Sequence, residues 1–411
     1  MKRLKTCIIL LALLLAAMAL VPLVSAGEQK SDKIVDIKDA ESNALFEIRT
    51  LAENNPNFSN WTNATVQPVT TYYDLNDEKT AYAFNVFVDN KYSGYVLTSA
   101  TKDNFPILAF SHGKIIGSDP KSAQDSLTSA KEGIVGEGLT PTKVKNVYLG
   151  GLAFYNEYQM MDSKGQNKGK SLVDLHTNKV VDLSNTSQGI PIPATDQEFK
   201  KFQEKQQSEI KESWNLQNTA MLNNRTVRLA TSGYSWNSLN GVPQYFWTLG
   251  CSPTAAGMVV GYYSLHGYPN LPRDTPLINE LAGYMGTSVG GSSWPWNIAP
   301  GINTLISHYN YYTLSATTDI IPTWSGDVNE IDSIRPFVLN MLNGGNAIGR
   351  SQAYGDHSVT CIGYTGNTGS PDQQFLEVYD TWMVSGESNY ASHFIHYNNW
   401  LWAADTYVRP S

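Results

Sequence analysis

The stretch from Val242 to Tyr263 reads VPQYFWTLGCSPTAAGMVVGYY and places a polar amide, a lone cysteine and the start of a helix in one short span. Gly250 frees the backbone before Cys251, and Ser252 can cap a helix. Pro253 suits a first helical turn because its missing N–H has no intrahelical partner there. The sequence therefore predicts a helix whose first turn carries Cys251.

The predicted helix has a periodic apolar pattern. Ala255, Met258, Val259 and Tyr262 recur at spacings of three and four, and Gly267 ends the pattern. This spacing predicts one buried stripe and a helix that packs centrally.

A cysteine at a helix N-terminus meets unpaired N–H groups and the positive end of the helix dipole. Both favour thiolate over thiol, so Cys251 is a candidate nucleophile. Gln244, seven residues upstream, can donate its amide N–H to the oxygen that becomes negative when a thiolate attacks a carbonyl. The alternative is that Cys251 only packs, since free cysteine is among the most buried residue types.

The length of 411 residues predicts two domains. Lys2, Arg3 and Lys5 precede an apolar run from Cys7 to Val24, and residues 24–26 read VSA. This is the layout of a secretory signal cleaved after Ala26, so residues 1–26 are predicted to be a signal peptide and the protein to be secreted or held at the cell surface. The apolar run is also long enough for an uncleaved anchor, and no later stretch could span a bilayer.

The charge excludes one class of partner. The net charge of −8 becomes −11 once the three basic residues of the signal are removed. An acidic surface has no counterion-release drive toward phosphates, so no nucleic-acid partner is expected.

The chain before residue 222 favours sheet. Residues 81–88 (AYAFNVFV) and 94–99 (GYVLTS) are predicted to form a hairpin, and a second pair is predicted over residues 147–161 and 171–183. Residues 196–222 are polar and charged, and they favour a solvated helix or linker.

The composition changes after Lys211, the last lysine of the chain, and aromatic residues become frequent. We place a boundary between residues 212 and 230, which gives an accessory domain over 27–222 and a second domain over 223–411. In the second domain we predict a helix over 331–342 and two paired strands over 357–364 and 374–380. The expected fold class is α+β.

His357 and Asp380 are the best-placed partners for Cys251. His357 opens a predicted strand, so its ring can project from the sheet edge toward a helix N-terminus. Asp380 ends the next strand, where its carboxylate could hold the histidine tautomer while Trp382 covers the pair from water. The predicted roles are nucleophile for Cys251, base for His357, orienter for Asp380 and oxyanion donor for Gln244.

The ordered motifs VPQ-x6-C-x-P-T-A, DHSV-x-x-IGY and YDTW, over residues 242–382, resemble the papain-like cysteine peptidases, most closely the double-glycine leader peptidase-like group. Position by position, the resemblance assigns the family's oxyanion glutamine to Gln244, its nucleophile to Cys251, its base to His357 and its third member to Asp380. It implies a papain-like catalytic domain, a protein or peptide substrate, and no cofactor or metal.

Two departures from that group are present. Ser252 stands where the group usually has glycine, and the chain has no G-x-x-x-x-G-K-[ST] motif of a transporter ATPase.

Residues 81–113 resemble the pro-segments of secreted streptopain-type peptidases, which implies that the N-terminal half is an intramolecular inhibitor.

Two competing interpretations concern other residues. His393 and His396 could be metal ligands, but no Cys or Glu lies at ligand spacing, which favours paired surface or core histidines. Cys361 lies four residues from His357, a rise of about 13 Å on a strand. A disulfide from Cys251 to Cys361 would therefore exclude a contact between Cys251 and His357.

The sequence thus predicts an exported cysteine peptidase that acts through a thioester acyl-enzyme, made as a zymogen. Three alternatives remain open from the sequence. The chain could be an inert surface module that binds peptide or glycan, an acyltransferase of the same fold, or a peptidase whose N-terminal half is only a spacer.

Overall fold

The computed structural model describes residues 33–117, 120–133, 138–181, 195–222, 233–288, 291, 293–343, 355–382 and 391–411. Residues Val35–Ser411 form one compact unit. The predicted signal peptide lies outside the described residues. Among the helices of the described ranges, none has the length and apolar character needed to cross a membrane.

Runs of consecutive strands are separated by single helices or by groups of helices, so the fold is mixed α+β as predicted. The α-helices are α1 Ile37–Asn54, α2 Pro120–Glu132, α3 Asp196–Leu222, α4 Cys251–Leu265, α5 Asp274–Tyr284, α6 Pro295–His308 and α7 Trp324–Asp332. Two short 3-10 helices cover Pro56–Asn63 and Pro371–Gln373.

The strands of the N-terminal half are β1 Thr65–Tyr73, β2 Lys79–Val88, β3 Lys91–Ser99, β4 Ile107–Ser111, β5 Thr140–Tyr148, β6 Phe154–Met161, β7 Asn167–Asp174 and β8 Val180–Val181. Those of the C-terminal half are β9 Tyr234–Ser238, β10 Leu314–Asp319, β11 Phe337–Asn343, β12 Gly355–Asn367, β13 Gln374–Tyr379, β14 His393–His396 and β15 Trp402–Pro410.

One sheet runs through both halves of the compact unit. Its order is β10-β15-β11-β12-β13-β14-β4-β3-β2-β1-β5-β6-β7-β8, with β9 added to β12. The two halves meet where β14 pairs antiparallel with β4, with Phe394 opposite Phe110 and Ile395 opposite Ala109. Because ladder hydrogen bonds cross this junction, the strand that carries His393 is held by the N-terminal half.

The hairpin predicted over residues 81–99 is confirmed, since β2 pairs with β3. The strand pair predicted over 357–364 and 374–380 is also confirmed, since β12 pairs with β13 and Thr360 faces Tyr379. Between residues 147 and 183 the prediction is partly wrong. A turn at residues 149–153 divides the first predicted strand into the end of β5 and all of β6, and β6 then pairs with β7.

The helix predicted over residues 331–342 is wrong. Helix α7 ends at Asp332, and β11 occupies Phe337–Asn343 between β12 and β15. Phe337, Val338 and Leu339 are fully buried, as are Met341 and Leu342 to within 1%. A short apolar run without alternation suits a central strand covered on both faces as well as it suits a helix, so periodicity could not separate the two.

Helix α3, predicted to be solvated, packs one face against both halves. The amide of Gln206 donates to the carbonyl oxygens of Asn398 and Trp400 at 2.6 and 2.8 Å. The indole N–H of Trp214 donates to the carbonyl oxygen of Asn104 at 2.8 Å. The polar composition did not predict that this face of α3 is buried, because many of the contacts it makes come from amide and indole groups rather than from aliphatic side chains.

A pair of buried carboxyl groups lies behind the central strands. Asp327 on α7 and Asp405 on β15 are both fully buried, and the hydroxyl of Tyr407 donates to Asp327 at 2.7 Å. Burial raises the pKa of Asp327 to about 7, and burial together with the charge of Asp327 raises the pKa of Asp405 well above its usual range. Two carboxyl groups this close hold a proton because both cannot ionise in an apolar site.

We expect Asp405→Asn to stabilise the protein at pH 8. Because the folded pKa values are raised, the stability contributed by the neutral pair is fully present below about pH 4 and is lost as pH rises through about 7. The variant should unfold in urea with a free energy about 1–3 kcal/mol above wild type at pH 8, and with little difference at pH 5. The exposed Asp89→Asn serves as control. An equal difference at both pH values would contradict a shared proton.

Candidate active site

Cys251 is the first residue of α4, and Gly250 is the residue that caps it. Gly250 has a φ of 143°, and a Cβ there would lie 2.3 Å from the carbonyl oxygen of Gly291, so only glycine fits. Cys251 is half-buried, whereas residues 252–264 are buried on all sides. The predicted cap at Ser252 and the single buried stripe are therefore wrong, because α4 is surrounded by α5, α6 and the sheet.

Ser252 serves a different purpose, because it anchors the helix to the strand that carries His357. Its Oγ lies 2.8 Å from Oγ of Ser358, which also accepts from the amide of Asn340 at 2.7 Å. The hydroxyl of Thr381 donates to the carbonyl oxygen of Ser358 at 3.3 Å. Since Cys251 precedes Ser252 and His357 precedes Ser358, these bonds set the segments of Cys251, His357 and Asp380 beside one another.

The imidazole of His357 is buried and oriented by two contacts. Its Nε2 lies 2.8 Å from the main-chain oxygen of Asp380, and its ring stacks on Trp382 with centroids 3.4 Å apart and planes 5° from parallel. A carbonyl oxygen only accepts, so Nε2 carries the proton and Nδ1 carries the lone pair of a base. Burial lowers the pKa of His357 to about 3, against the opposing effect of the nearby Asp380, so the ring is neutral in this state.

Asp380 is buried, and its carboxylate contacts groups that the sequence did not predict. One oxygen accepts from the main-chain N–H of Trp382 at 3.0 Å, and the other lies 3.3 Å from Nε2 of His393. The sequence predicted that the carboxylate of Asp380 orients His357, whereas in the structure the main-chain oxygen of Asp380 accepts from Nε2 of His357. Thr381, which lies between Asp380 and Trp382, has a φ of 65°. This left-handed backbone conformation is unfavourable for a β-branched residue, and it turns Trp382 onto His357.

Gln244 is half-buried on the approach to α4, and its side chain hydrogen-bonds to Tyr379, the last residue of β13. Burial raises the pKa of Tyr379, and this hydrogen bond opposes the rise. The side chain of Gln244 is thus tied to the strand end that leads into Asp380. Its predicted role as oxyanion donor stays a prediction.

The N-terminal half covers the site with the turn that follows β7. His176 lies on Trp382 with ring centroids 3.4 Å apart, and its ring is 6.3 Å from that of His357. The ammonium of Lys179 lies 5.0 Å from the centroid of Trp247, four residues before Cys251. Burial lowers the pKa of His176 well below its usual range. The sequence carries no signal for a role of His176, because this histidine lies in the other half and no spacing links it to His357.

His393 and His396 do not share a site. They are three apart on β14, so their side chains point to opposite faces of the sheet. His393 faces Asp380, whereas His396 stacks on Phe105 at 3.9 Å and its Nδ1 bonds the main-chain oxygen of Tyr397. In the described ranges, no three His, Cys, Asp or Glu side chains are grouped so that they could hold a metal ion.

Residues 230–408 match the family model described as Peptidase_C39 like family. This part of the chain is thus similar to the C39-like cysteine peptidases, and the resemblance stated for residues 242–382 is confirmed. Among curated proteins, no sequence matches the chain.

Among solved structures, a fragment of Prevotella intermedia prointerpain A aligns over 84% of this chain and 98% of its own. The sequence identity is 11% and the TM-score 0.36, so no residue role is carried over from it.

We expect two free thiols of very different reactivity. Cys361 is fully buried, its Sγ contacts the main-chain oxygen of Gly363 at 3.5 Å, and burial raises its pKa well above the usual range. Neither cysteine is bridged in the structure. Mass spectrometry of native protein treated with iodoacetamide should find the label on Cys251 first and on Cys361 only after unfolding. A peptide cross-linked between the two cysteines in native material would contradict the site.

Proposed function

We propose that the chain is an exported cysteine peptidase that hydrolyses peptide bonds through a thioester on Cys251 and is made with its site covered by the N-terminal half. The observation that carries the proposal is that Cys251 begins a buried helix fastened, through Ser252 and Ser358, beside a neutral imidazole whose lone pair is on Nδ1. The C39-like domain supports the class of reaction.

The reaction begins when Nδ1 of His357 takes the proton of Cys251. The thiolate then attacks the carbonyl carbon of the substrate, and the N–H groups at the start of α4, with the amide of Gln244, stabilise the oxyanion. The imidazolium returns its proton to the amine that leaves, and a thioester remains on Cys251. Water, deprotonated by His357, then hydrolyses the thioester and frees the thiol.

The cover over the site explains why the imidazole is neutral. Burial disfavours the charged form of the His357 ring. For the same reason, burial disfavours the transfer of a proton from Cys251 to His357, which would create two charges. Removal of the turn at His176 would readmit water beside Trp382 and raise the affinity of His357 for protons. The activity of an exported thiol peptidase would therefore stay low until this turn moves.

Cys251→Ala and His357→Ala should each lower peptide hydrolysis by about three orders of magnitude or more, because nucleophile and base act as a unit. Asp380→Asn should lower it only about tenfold, since the main-chain oxygen that orients His357 is unchanged and the amide oxygen can still accept from Trp382. Hydrolysis of a quenched peptide library, with circular dichroism to check folding, measures all three. Wild-type activity in Cys251→Ala would exclude this function.

Replacing His176 with alanine should raise kcat/KM of the full chain roughly two- to tenfold. This is the effect expected from losing one ring contact, the one that holds the turn after β7 against Trp382. His112→Ala is a matched control, since His112 lies in the same half but stacks on Phe58, away from Trp382. A cut between residues 223 and 230 should raise the rate further. Unchanged rates after both changes would leave the N-terminal half as a spacer.

A further inference from the structure

A buried chain of three polar side chains links the N-terminal half to the reacting histidine. The hydroxyl of Tyr95 on β3 lies 2.9 Å from Nδ1 of His393 on β14. Nε2 of His393 lies 3.3 Å from Oδ2 of Asp380, and the main-chain oxygen of Asp380 lies 2.8 Å from Nε2 of His357. Tyr95 is fully buried, and His393 and Asp380 are 4% and 1% exposed.

We infer that His393 is a positioning residue for the proposed peptidase reaction, and that Tyr95 of the N-terminal half sets its orientation. This inference rests on the proposed function of Cys251 and His357. It assigns a role in the site to a histidine whose spacing with His396 had suggested only a metal ligand or a packed ring.

The protons in the chain follow from the groups present. An ionised carboxylate only accepts, so the nitrogen of His393 that faces Asp380 carries a hydrogen. In the neutral ring the other nitrogen has a lone pair and accepts from the Tyr95 hydroxyl. Burial, with smaller effects from neighbouring charges, raises the pKa of Tyr95 well above its usual range, so this phenol keeps its hydrogen.

The carboxylate of Asp380 is fixed by two hydrogen-bonding contacts, one at each oxygen. The segment Asp380-Thr381-Trp382 turns through a left-handed residue, and it presents both the oxygen that orients His357 and the indole that stacks on it. Trp382 N–H fixes one carboxylate oxygen from within the segment, and His393 fixes the other from a neighbouring strand. The contact with His393 ties the carboxylate to β14, so its loss would weaken the placement of both the Asp380 carbonyl and the Trp382 indole against His357.

The register of the sheet makes the link rigid. Val378 on β13 faces His393 on β14, two residues before Asp380, and the next two residues of β14 pair with β4. His393 thus lies on the strand that joins the two halves. Within the described part of the chain, the titratable groups that face Asp380 include His393 and Tyr95 from these strands, His357 from β12 and His176 from the covering turn.

The test compares His393→Phe, His393→Gln and His393→Asn in the full chain. Phenylalanine keeps the ring and removes the donor, glutamine can place an N–H near the position of Nε2, and asparagine places its amide near Nδ1, away from Asp380. We expect kcat to fall roughly ten- to a hundredfold in the Phe and Asn variants with KM nearly unchanged, and to recover largely in the Gln variant. Tyr95→Phe should give a smaller fall of the same kind, and Tyr92→Phe on the same strand is its control.

The pH profile separates positioning from plain packing. A buried carboxylate that has lost a donor takes up a proton at higher pH, so the acid limb of kcat, and of Cys251 alkylation by iodoacetamide, should move to higher pH in His393→Phe but not in His393→Gln. The inference would be overturned if His393→Phe and His393→Gln both kept the wild-type kcat and pH profile, or if both were impaired equally. The control variant Cys251→Ala separates this failure from failure of the proposed function. If only the role of His393 is wrong, Cys251→Ala is still inactive and unlabelled. If the proposed function is wrong, Cys251→Ala retains activity.

Discussion

The hydrogen bond between the hydroxyls of Ser252 and Ser358 is the contact on which the site depends. It fastens the first turn of α4 to β12 at the residue after His357, and Asn340 and Thr381 bond the same serine from β11 and from the end of β13. Cysteine, imidazole and the Asp380 segment come from three separate segments, of which the cysteine lies more than a hundred residues before the other two. Ser358 gives them a common support that a loop could not provide, because strands on both sides fix β12.

The sheet extends this support into the N-terminal half. A single ladder connects the strands of both halves through β14 and β4, and one hydrophobic core includes residues of both. The N-terminal half therefore contacts the site in two ways. The turn at His176 covers Trp382, and Tyr95 on β3 reaches His393 on β14 across β4. Covering and supporting are separate physical effects, which is why substitutions at His176 and at Tyr95 are expected to change the rate in opposite directions.

Much of the fold and part of the site could be predicted from local sequence. Turn residues bounded the hairpin of β2 and β3, and alternation gave β12 and β13 with His357 and Asp380 at their ends. Strand β11 could not be predicted, because a run buried on both faces has no period. The roles of Ser252, His176, His393 and Tyr95 could not be predicted either, since each depends on a contact between segments more than a hundred residues apart or on a strand register that no spacing records. The oxygen that orients His357 belongs to the main chain, which carries no sequence signal at all.

The most direct test of the account is to trap the acyl-enzyme. Protein cut between residues 223 and 230 would be mixed with a peptidyl p-nitrophenyl ester, quenched in acid within the first turnovers and digested for mass spectrometry. We expect an acyl group on the peptide that contains Cys251, absent from Cys251→Ser at the same time point and lost when the quench is delayed until substrate is exhausted. An acyl group on Cys361 or on a lysine, or turnover of the ester with equal speed by Cys251→Ser, would contradict it.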